Sequence, residues 1–187
     1  MPTAGNRPTG ERHDGGTSMI VRPRIDADLD QCVAVAKVVH QLDGYPKYLP
    51  TDLRTFLVSS DAHGAWVAED NDEIVGHVGL HRRSTAAAMA LASETVRQPV
   101  ERLGIVARLL VAPSARRQGV GQALLDVASR AAVDFGLWPV LDVVTPLQGA
   151  IFMYEKCGWT RAGKVTVDLG DDVAIDEYVY IGPHRPR

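Results

Sequence analysis

Two adjacent arginines and two nearby glycines stand out in the stretch VAPSARRQGVGQALL, residues 111–125. Arg116 and Arg117 lie at the predicted start of a helix, where cations oppose the helix dipole at a cost of about 0.3–1 kcal/mol each. Gly119 and Gly121 let backbone N–H groups approach a ligand closely, and the unpaired amides of a helix N-terminus bind anions. A bound diphosphate would neutralise the arginines, whereas the alternative is that both are solvated surface charges.

The spacing of the glycines limits the kind of phosphate ligand. A P-loop requires Lys and then Ser or Thr after its second glycine, and neither follows Gly121. A dinucleotide fingerprint requires Gly or Ala where Leu124 stands, although Asp142 lies near the distance expected for a ribose-binding acid. The spacing therefore disfavours ATP and NAD.

Two segments carry a resemblance to a known family. RRQGVG, residues 116–121, fits the pattern [QR]-x-x-G-x-[GA] after the apolar strand ARLLVAP, and AIFMYEKCGW, residues 150–159, is similar to A-x-x-x-Y-E-K-x-G-[FW]. With a matching order of strands and helices from about residue 20 to 180, the sequence resembles the GCN5-related N-acetyltransferases (GNAT). The resemblance implies a mixed α/β fold, with a partly antiparallel central sheet flanked by helices, and acetyl-CoA as co-substrate.

The resemblance also implies the site residues. The strand before the glycine loop splays from its neighbour, and its backbone holds the pantetheine and the acetyl carbonyl, with the Leu109 amide as donor to the oxyanion. Tyr154 takes the place of the family tyrosine that protonates the departing sulfur. No metal is implied. The predicted acetyl-CoA-binding residues are Leu109, Leu110, Val111, Arg116, Arg117, Gln118, Gly119, Val120 and Gly121.

Several roles stay open in the sequence. Tyr154 has the alternative of simply packing its ring in the core. The general base could be His77, His81, Glu101 or Asp142, or a water chain, and for each of these side chains a structural or surface role is the more common one. The position seven residues before the tyrosine, often asparagine in the family, is leucine here.

The leading hypothesis is an acetyl-CoA-dependent N-acetyltransferase that acts on a primary amine of a small molecule or peptide. The alternative is a noncatalytic acyl-CoA sensor, which would keep the glycine loop without depending on Tyr154. We expect the acceptor cleft to involve the loop QLDGYPKYLP, residues 41–50, and the Ala-rich segment between residues 81 and 101. Tyr45 and Tyr48 in that loop either stack on an aromatic acceptor or cover the core.

Composition bounds these hypotheses. The chain has 187 residues with 45% hydrophobic composition, which fits one domain, predicted over residues 19–182. A net charge of -3 gives no general attraction to nucleic acid or to an anionic membrane. Two distant cysteines predict no disulfide framework and favour the cytoplasm. Residues 1–18 and 183–187 are predicted tails, and the oligomeric state is left open, a homodimer included.

The elements that must position the site follow from periodicity and turn signals. A first strand over residues 19–25 leads into a helix capped by Asp26, then the loop 40–50 and a short helix from Thr51 or Asp52. The remaining predicted elements are a hairpin over 64–83, a helix over 84–97, a strand over 103–113, a helix over 120–135 stopped by glycine, a strand over 137–144, a helix over 147–157 and strands over 164–169 and 175–182. The strand–helix–strand unit in the middle should be parallel and right-handed.

Overall fold

A computed structural model describes residues 19–46, 52–170 and 173–184 of the chain. They form a seven-stranded sheet with helices on both faces. The strands are β1 (Ile20–Pro23), β2 (Ala62–Asp70), β3 (Glu73–His81), β4 (Leu103–Val111), β5 (Trp138–Val144), β6 (Thr160–Asp168) and β7 (Ala174–Ile181). The helices are α1 (Leu29–Asp43), α2 (Leu53–Leu57), α3 (Ala86–Val96), α4 (Val120–Asp134) and α5 (Gln148–Lys156).

The strands lie in the order β1-β2-β3-β4-β5-β7-β6. In the described part of the sheet, β4 and β5 are the one parallel pair, and the other neighbours are antiparallel. Helix α4 connects the parallel pair, because parallel neighbours need a long crossover rather than a hairpin turn. The predicted mixed α/β class, the order of elements and the parallel unit are confirmed.

Helix α1 differs from the prediction at both ends. Asp26 begins a short 3-10 turn, and the α-helix starts at Leu29 because the carboxylate of Asp28 is held by Arg22 and by the Ile25 amide. The helix continues to Asp43, so residues 40–43 are not part of the predicted loop. It ends where Gly44 takes a left-handed conformation, φ 66°, as is common for the residue after a helix.

The two faces of the sheet bury different clusters. On one face, α4 and α5 cover a core that contains Leu124, Leu125, Ile151 and Tyr180. On the other face, α1 and α2 pack over the β2–β4 half and α3 packs over the half that contains β5 and β7.

The apolar face of helix α4 is buried except at its end. Val120, Leu124 and Ala128 are buried, but Phe135, which continues their helical spacing, is exposed and stacks on the His63 ring at 5.5 Å. It lies outside because the helix ends there, and Gly136 then turns the chain with φ 71°. The short second helix begins with Asp52 as its cap, as predicted.

The chain ends and cysteines complete the comparison with the sequence. The predicted tail 1–18, Tyr48 and residues 185–187 lie outside the described residues. His184 stacks on Trp138 at 4.1 Å, so the predicted C-terminal tail is packed against the sheet at that residue. Cys32 and Cys157 are both free thiols. No helix within residues 19–46, 52–170 or 173–184 has the length and apolar character to cross a membrane.

Candidate active site

The site begins where the sheet opens. β4 and β5 pair only from Leu103 to Ile105 and from Trp138 to Val140. Beyond these residues β5 pairs with β7 on its other side, while β4 stays paired with β3. The two parallel strands therefore separate toward their C-terminal ends, and the polar backbone edges that face the gap are available to a ligand.

A β-bulge lies in β4 at the level of this gap. The register with β3 shifts so that Arg108 and Leu109 together oppose Val78, and Arg108 has the left-handed φ of 56°. The His77 ring donates from Nδ1 to the Arg108 carbonyl at 3.0 Å, because its Nε2 accepts from Arg24 at 3.1 Å. Burial lowers the pKa of His77 to about 4, which keeps the ring neutral. His77 therefore supports the bulge and is not free to act as a base.

The glycine loop presents a run of free amides. The first helical bond of α4 runs from the Ala123 amide to the Gly119 carbonyl at 2.9 Å. In the part of the chain that the structure describes, the amides of residues 117–122 have no backbone or side-chain acceptor. Gly119 takes φ 85°, and a Cβ there would meet no atom within 4 Å, so the turn is open. Arg117 is left-handed as well, with φ 63°.

These features share one cavity of about 650 Å³ between α1, β4, α4 and α5. The predicted site residues that line it are Leu109, Val111, Arg116, Arg117, Gly119, Gly121 and Tyr154. The structure thus brings the two sequence motifs together at one cleft. Leu147, which stands where the family often has asparagine, also lines it and offers an apolar surface.

Three predicted residues do not present side chains to the cleft. Leu110 points into the core below α1 and α2, and Val120 is buried under α4. The Gln118 side chain donates to the Ser114 carbonyl at 2.9 Å. Any contact that these residues make with a ligand in the cleft therefore comes from their backbone. The sequence of an apolar strand does not show which of its side chains point into a cleft and which point into the core.

Arg116 is already paired in this structure. Its guanidinium contacts both carboxylate oxygens of Asp43 at 2.5 and 3.1 Å, and its Nε donates to the Val111 carbonyl at 3.3 Å. Asp43 is the last residue of α1, so this pair joins α1 to the glycine loop at the rim of the cleft. The positive charge near the helix start is therefore balanced by a carboxylate of the protein itself.

Tyr154 lines the cleft and is 8% exposed. Its ring packs on Trp159 and Tyr180, with centroid distances of 6.3 and 6.1 Å. Burial raises the pKa of its hydroxyl far above the usual value, so the group stays protonated. The packing and the proton-donor interpretations are both compatible with this position, because the ring faces the core while the residue contributes to the cleft wall.

The candidate bases separate clearly in space. Glu101 is exposed in a turn before β4. His81 donates to Asp61 at 3.4 Å, and burial lowers its pKa to about 4, so that it is neutral at pH 7. Asp142 accepts from the Ser84 hydroxyl at 2.5 Å, and burial raises its pKa. Of the four side chains considered, Asp142 keeps an ionisable group next to the gap.

Glu177 is a further acid that the sequence did not single out. It is 7% exposed, its Oε2 has no partner among the described residues, and burial with the charge of Asp142 raises its pKa to about 7. Glu177 pairs with Val144 of β5. Leu109 and Val144 both stand four residues beyond the last paired residues of β4 and β5, Ile105 and Val140. Glu177 therefore lies across β5 from the gap, at about the level of the bulge.

Tyr45 lies close to charged groups of both β4 and β5. It lines the cleft, and burial raises the pKa of its hydroxyl to about 12, with a further contribution from the Asp142 charge. The Arg108 charge acts in the opposite direction and lowers the pKa of this hydroxyl. Tyr45 is therefore close enough to both Arg108 and Asp142 for their charges to act on its hydroxyl.

A comparison with known proteins agrees with this geometry. The sequence profile of the acetyltransferase (GNAT) family matches residues 33–159. N-acetyltransferase 8 of Rattus norvegicus is 29% identical over 133 residues, which are 69% of this chain and 55% of that protein. The chain thus spans about half the length of this relative.

Solved structures share the fold at lower identity. An N-acetyltransferase from Staphylococcus aureus Mu50 is 17% identical with a TM-score of 0.70, and the match covers 90% of this chain and 100% of that one. Arabidopsis thaliana NAA60 in complex with acetyl-CoA is 16% identical with a TM-score of 0.66, and the match covers 88% and 97% of the two chains. Together with the profile match over most of the described domain, the open sheet and the glycine loop, these findings show that the chain belongs to the acetyltransferase (GNAT) family.

Proposed function

We propose that the protein transfers an acetyl group from acetyl-CoA to a primary amine of a small molecule or peptide. The observation that carries this proposal is the run of free amides at residues 117–122, which opens onto the same cleft as the bulge at Leu109. Amides arranged in this way favour a phosphate group. A. thaliana NAA60, which has a similar fold, is known in complex with acetyl-CoA.

Acetyl-CoA would supply the activated thioester, and the chain supplies the positions around it. The amides of the glycine loop would bind the diphosphate together with the Arg117 guanidinium. The Leu109 amide, freed from regular pairing by the bulge, would donate to the carbonyl oxygen as negative charge develops there. Because both sets of donors belong to the backbone, most side-chain changes along this path should be tolerated.

Proton removal from the amine is assigned to the acidic pair Asp142 and Glu177. An alkylammonium group has a pKa near 10 and must lose a proton before it attacks. A carboxyl group with a pKa of about 7 can accept that proton at neutral pH. The Asp142 carboxylate, held by Ser84, would orient the amine and keep the pKa of Glu177 high.

Proton delivery to the departing sulfur is assigned to Tyr154. Its raised pKa keeps the hydroxyl protonated throughout the neutral range. A thiol has a pKa near 8.5 and is already a good leaving group, so the contribution of an acid should be at the low end of general acid catalysis. Loss of this hydroxyl should therefore slow turnover without abolishing it.

Calorimetry with matched glycine variants tests the coenzyme site. Gly119 and Gly170 share a left-handed φ, 85° and 82°, and a Cβ at either would meet no atom within 4 Å. Gly119→Ala and Gly170→Ala should thus have a similar backbone strain of about 1 kcal/mol. Coenzyme A affinity should fall roughly tenfold in Gly119→Ala alone, the size of a weakened charge-assisted hydrogen bond. Equal affinities in both variants would place the diphosphate elsewhere.

Turnover with a panel of amines tests the transfer itself. The protein is incubated with acetyl-CoA and each amine, and the released thiol and the mass of the acetylated product are both measured. We expect release that depends on one class of amine. Tight binding of coenzyme A with no product from any amine would favour the sensor instead.

A further inference from the structure

A second depression lies on the other face of the sheet, opposite the coenzyme cleft. It has a volume of about 530 Å³ and is lined by Ser59, Ser60, Asp61, Arg82, Arg83 and Arg108. Arg108 and Leu109 are neighbours in the bulge, and Leu109 lines the coenzyme cleft while Arg108 lines this depression. Two adjacent residues of β4 thus connect the two cavities.

The Arg108 guanidinium has binding capacity that the protein does not use. Its Nη1 is buried and has no partner in the described part of the chain. One side of the guanidinium packs over the Phe56 ring at 4.7 Å from its centroid. Burial lowers the pKa of this arginine, and the nearby Asp61 charge offsets that effect only in part.

The other charges in the depression do not cancel this one. Asp61 is the one carboxylate among the lining residues, and it already accepts from the Ser59 hydroxyl and from His81. Arg82 and Arg83 are exposed at the rim. The lining therefore carries three guanidinium groups against one carboxylate that is already hydrogen-bonded.

The depression is also joined to the acidic pair. Ser84 follows Arg83 directly and donates to Asp142 at 2.5 Å. A ligand whose oxyanion lies on the arginines can therefore place an amine toward Asp142 and Glu177, beside the gap that leads to Leu109.

We infer that the acceptor is an amine that also carries a carboxylate, as an amino acid does, and that Arg108 with Arg82 and Arg83 binds this carboxylate. The inference rests on the proposed acetyl transfer and names its substrate class. Arginine binds carboxylates through paired N–H donors. The same arginines repel acceptors with several positive charges, such as polyamines and aminoglycosides, so the depression selects against that class.

Matched pairs of acceptors test the inference by turnover. Each of the common L-amino acids is compared with its carboxamide, which keeps the amine and loses the negative charge, and spermidine represents the polycations. For the accepted side chains we expect kcat/KM to favour the carboxylate by about tenfold or more. A preference for the carboxamide or for spermidine would overturn the inference.

Arginine variants locate the effect. Arg108→Gln and the double variant Arg82→Gln/Arg83→Gln should each remove most of the preference, chiefly through KM, while Arg130→Gln on the outer surface of α4 should keep it. The rim variant matters because exposed residues can be replaced without threatening the fold. Unchanged preference in both Arg108→Gln and the rim variant would also overturn the inference.

A binding measurement separates this inference from the proposed function. The same amino acids and carboxamides are titrated into the protein saturated with coenzyme A, and the melting temperature is followed. Stabilisation by the carboxylates alone, lost in the rim variant, supports the anion site even if no product forms. Product from carboxamides or polyamines, with no binding of carboxylates, supports acetyl transfer and rejects the anion site.

Discussion

The two sides of β4 are built from different chemical groups. On the cleft side, the proposed contacts come mainly from backbone amides, at Leu109 and at residues 117–122. On the opposite side, the contacts come from charged side chains, Arg108, Asp142 and Glu177, each with its pKa displaced by burial. One strand therefore separates a region that depends on backbone shape from a region that depends on side-chain identity.

This difference predicts that the two sides of β4 respond differently to mutation. Amides need no particular side chain, so the cleft side accommodates Leu147 in place of a polar residue without losing its donors. Buried charges, in contrast, destabilise a fold unless a ligand or partner uses them. We expect mutations on the acceptor side to change activity most, and the following predictions are arranged accordingly from the largest effect to the smallest.

Glu177→Gln should give the largest loss. Removing a general base typically costs about 100-fold or more in kcat/KM. The carboxylate form is the active one, so activity of the parent protein should rise with pH through the pKa of about 7, and this limb should disappear in the variant. Rates measured between pH 5.5 and 9 check both effects.

Asp176→Asn is the matched control for that variant. Asp176 precedes Glu177 on β7, pairs with Lys164 at 2.8 Å and lies on the other face of the strand. Its replacement should leave the pH profile unchanged. If both variants lose activity to the same extent, the loss comes from disturbed packing of β7 and not from removal of the Glu177 carboxylate.

The same Glu177→Gln change should stabilise the fold at high pH. The folded-state pKa of about 7 lies above the usual value of 4.5, so ionisation destabilises the protein as pH rises between these values. At pH 8 the variant should gain about 3 kcal/mol in the free energy of unfolding, whereas at pH 4 the gain should be near zero. Urea denaturation at both pH values measures this, and an equal gain at both would contradict it.

Tyr154→Phe should have an intermediate effect on the cleft side. The ring contacts with Trp159 and Tyr180 are kept, so stability should change little. We expect kcat to fall by about tenfold with little change in KM for acetyl-CoA, because only the proton donor is lost. Tyr178→Phe, on β7, is the control and should retain the parent kcat. Full activity in Tyr154→Phe would contradict the proton-donor role and would mean that the ring only packs in the core.

Asp43→Asn should produce the smallest change, and in the favourable direction. It releases Arg116 from its ion pair and removes a negative charge from the cleft rim. Coenzyme A should bind about threefold more tightly at low salt, and the gain should shrink in 0.5 M salt because exposed charges are screened. Asp30 is on the same helix as Asp43 and pairs at the surface with Arg54 of α2. Asp30→Asn breaks that pair and should not alter the affinity for coenzyme A. Weaker binding in Asp43→Asn would mean that the pair holds the loop in its binding shape.

The sequence predicted the elements well because their signals are local. The hairpin turn at Asn71 and Asp72 and the glycine stop after α4 depend on residues that tolerate a left-handed backbone. The helix boundaries at α1 were wrong because an ion pair between Asp28 and Arg22, six residues apart, decides where the helix starts. Such a pair leaves no periodic pattern in the sequence.

The site was predicted only where motifs described it. The glycine loop and Tyr154 meet at one cleft, as the two motifs indicate, but Glu177, Asp43 and Arg108 were missed. Arg108 carried a signal, a cation inside an otherwise apolar strand, that could have marked a bulge or a binding site. Strand order places Glu177 next to β5, and the length of α1 places Asp43 at the cleft rim; both are properties of the whole fold.

The short contact between β4 and β5 has a consequence for the mechanics of the molecule. Three residue pairs join the two strands, so few hydrogen bonds connect the two halves of the sheet. A ligand bound in the gap between β4 and β5 should contact both halves of the sheet. Its binding energy then adds to the free energy of unfolding of the whole domain. Amide hydrogen exchange should therefore slow together in β4 and β5 when coenzyme A is added, even at residues that the ligand does not touch.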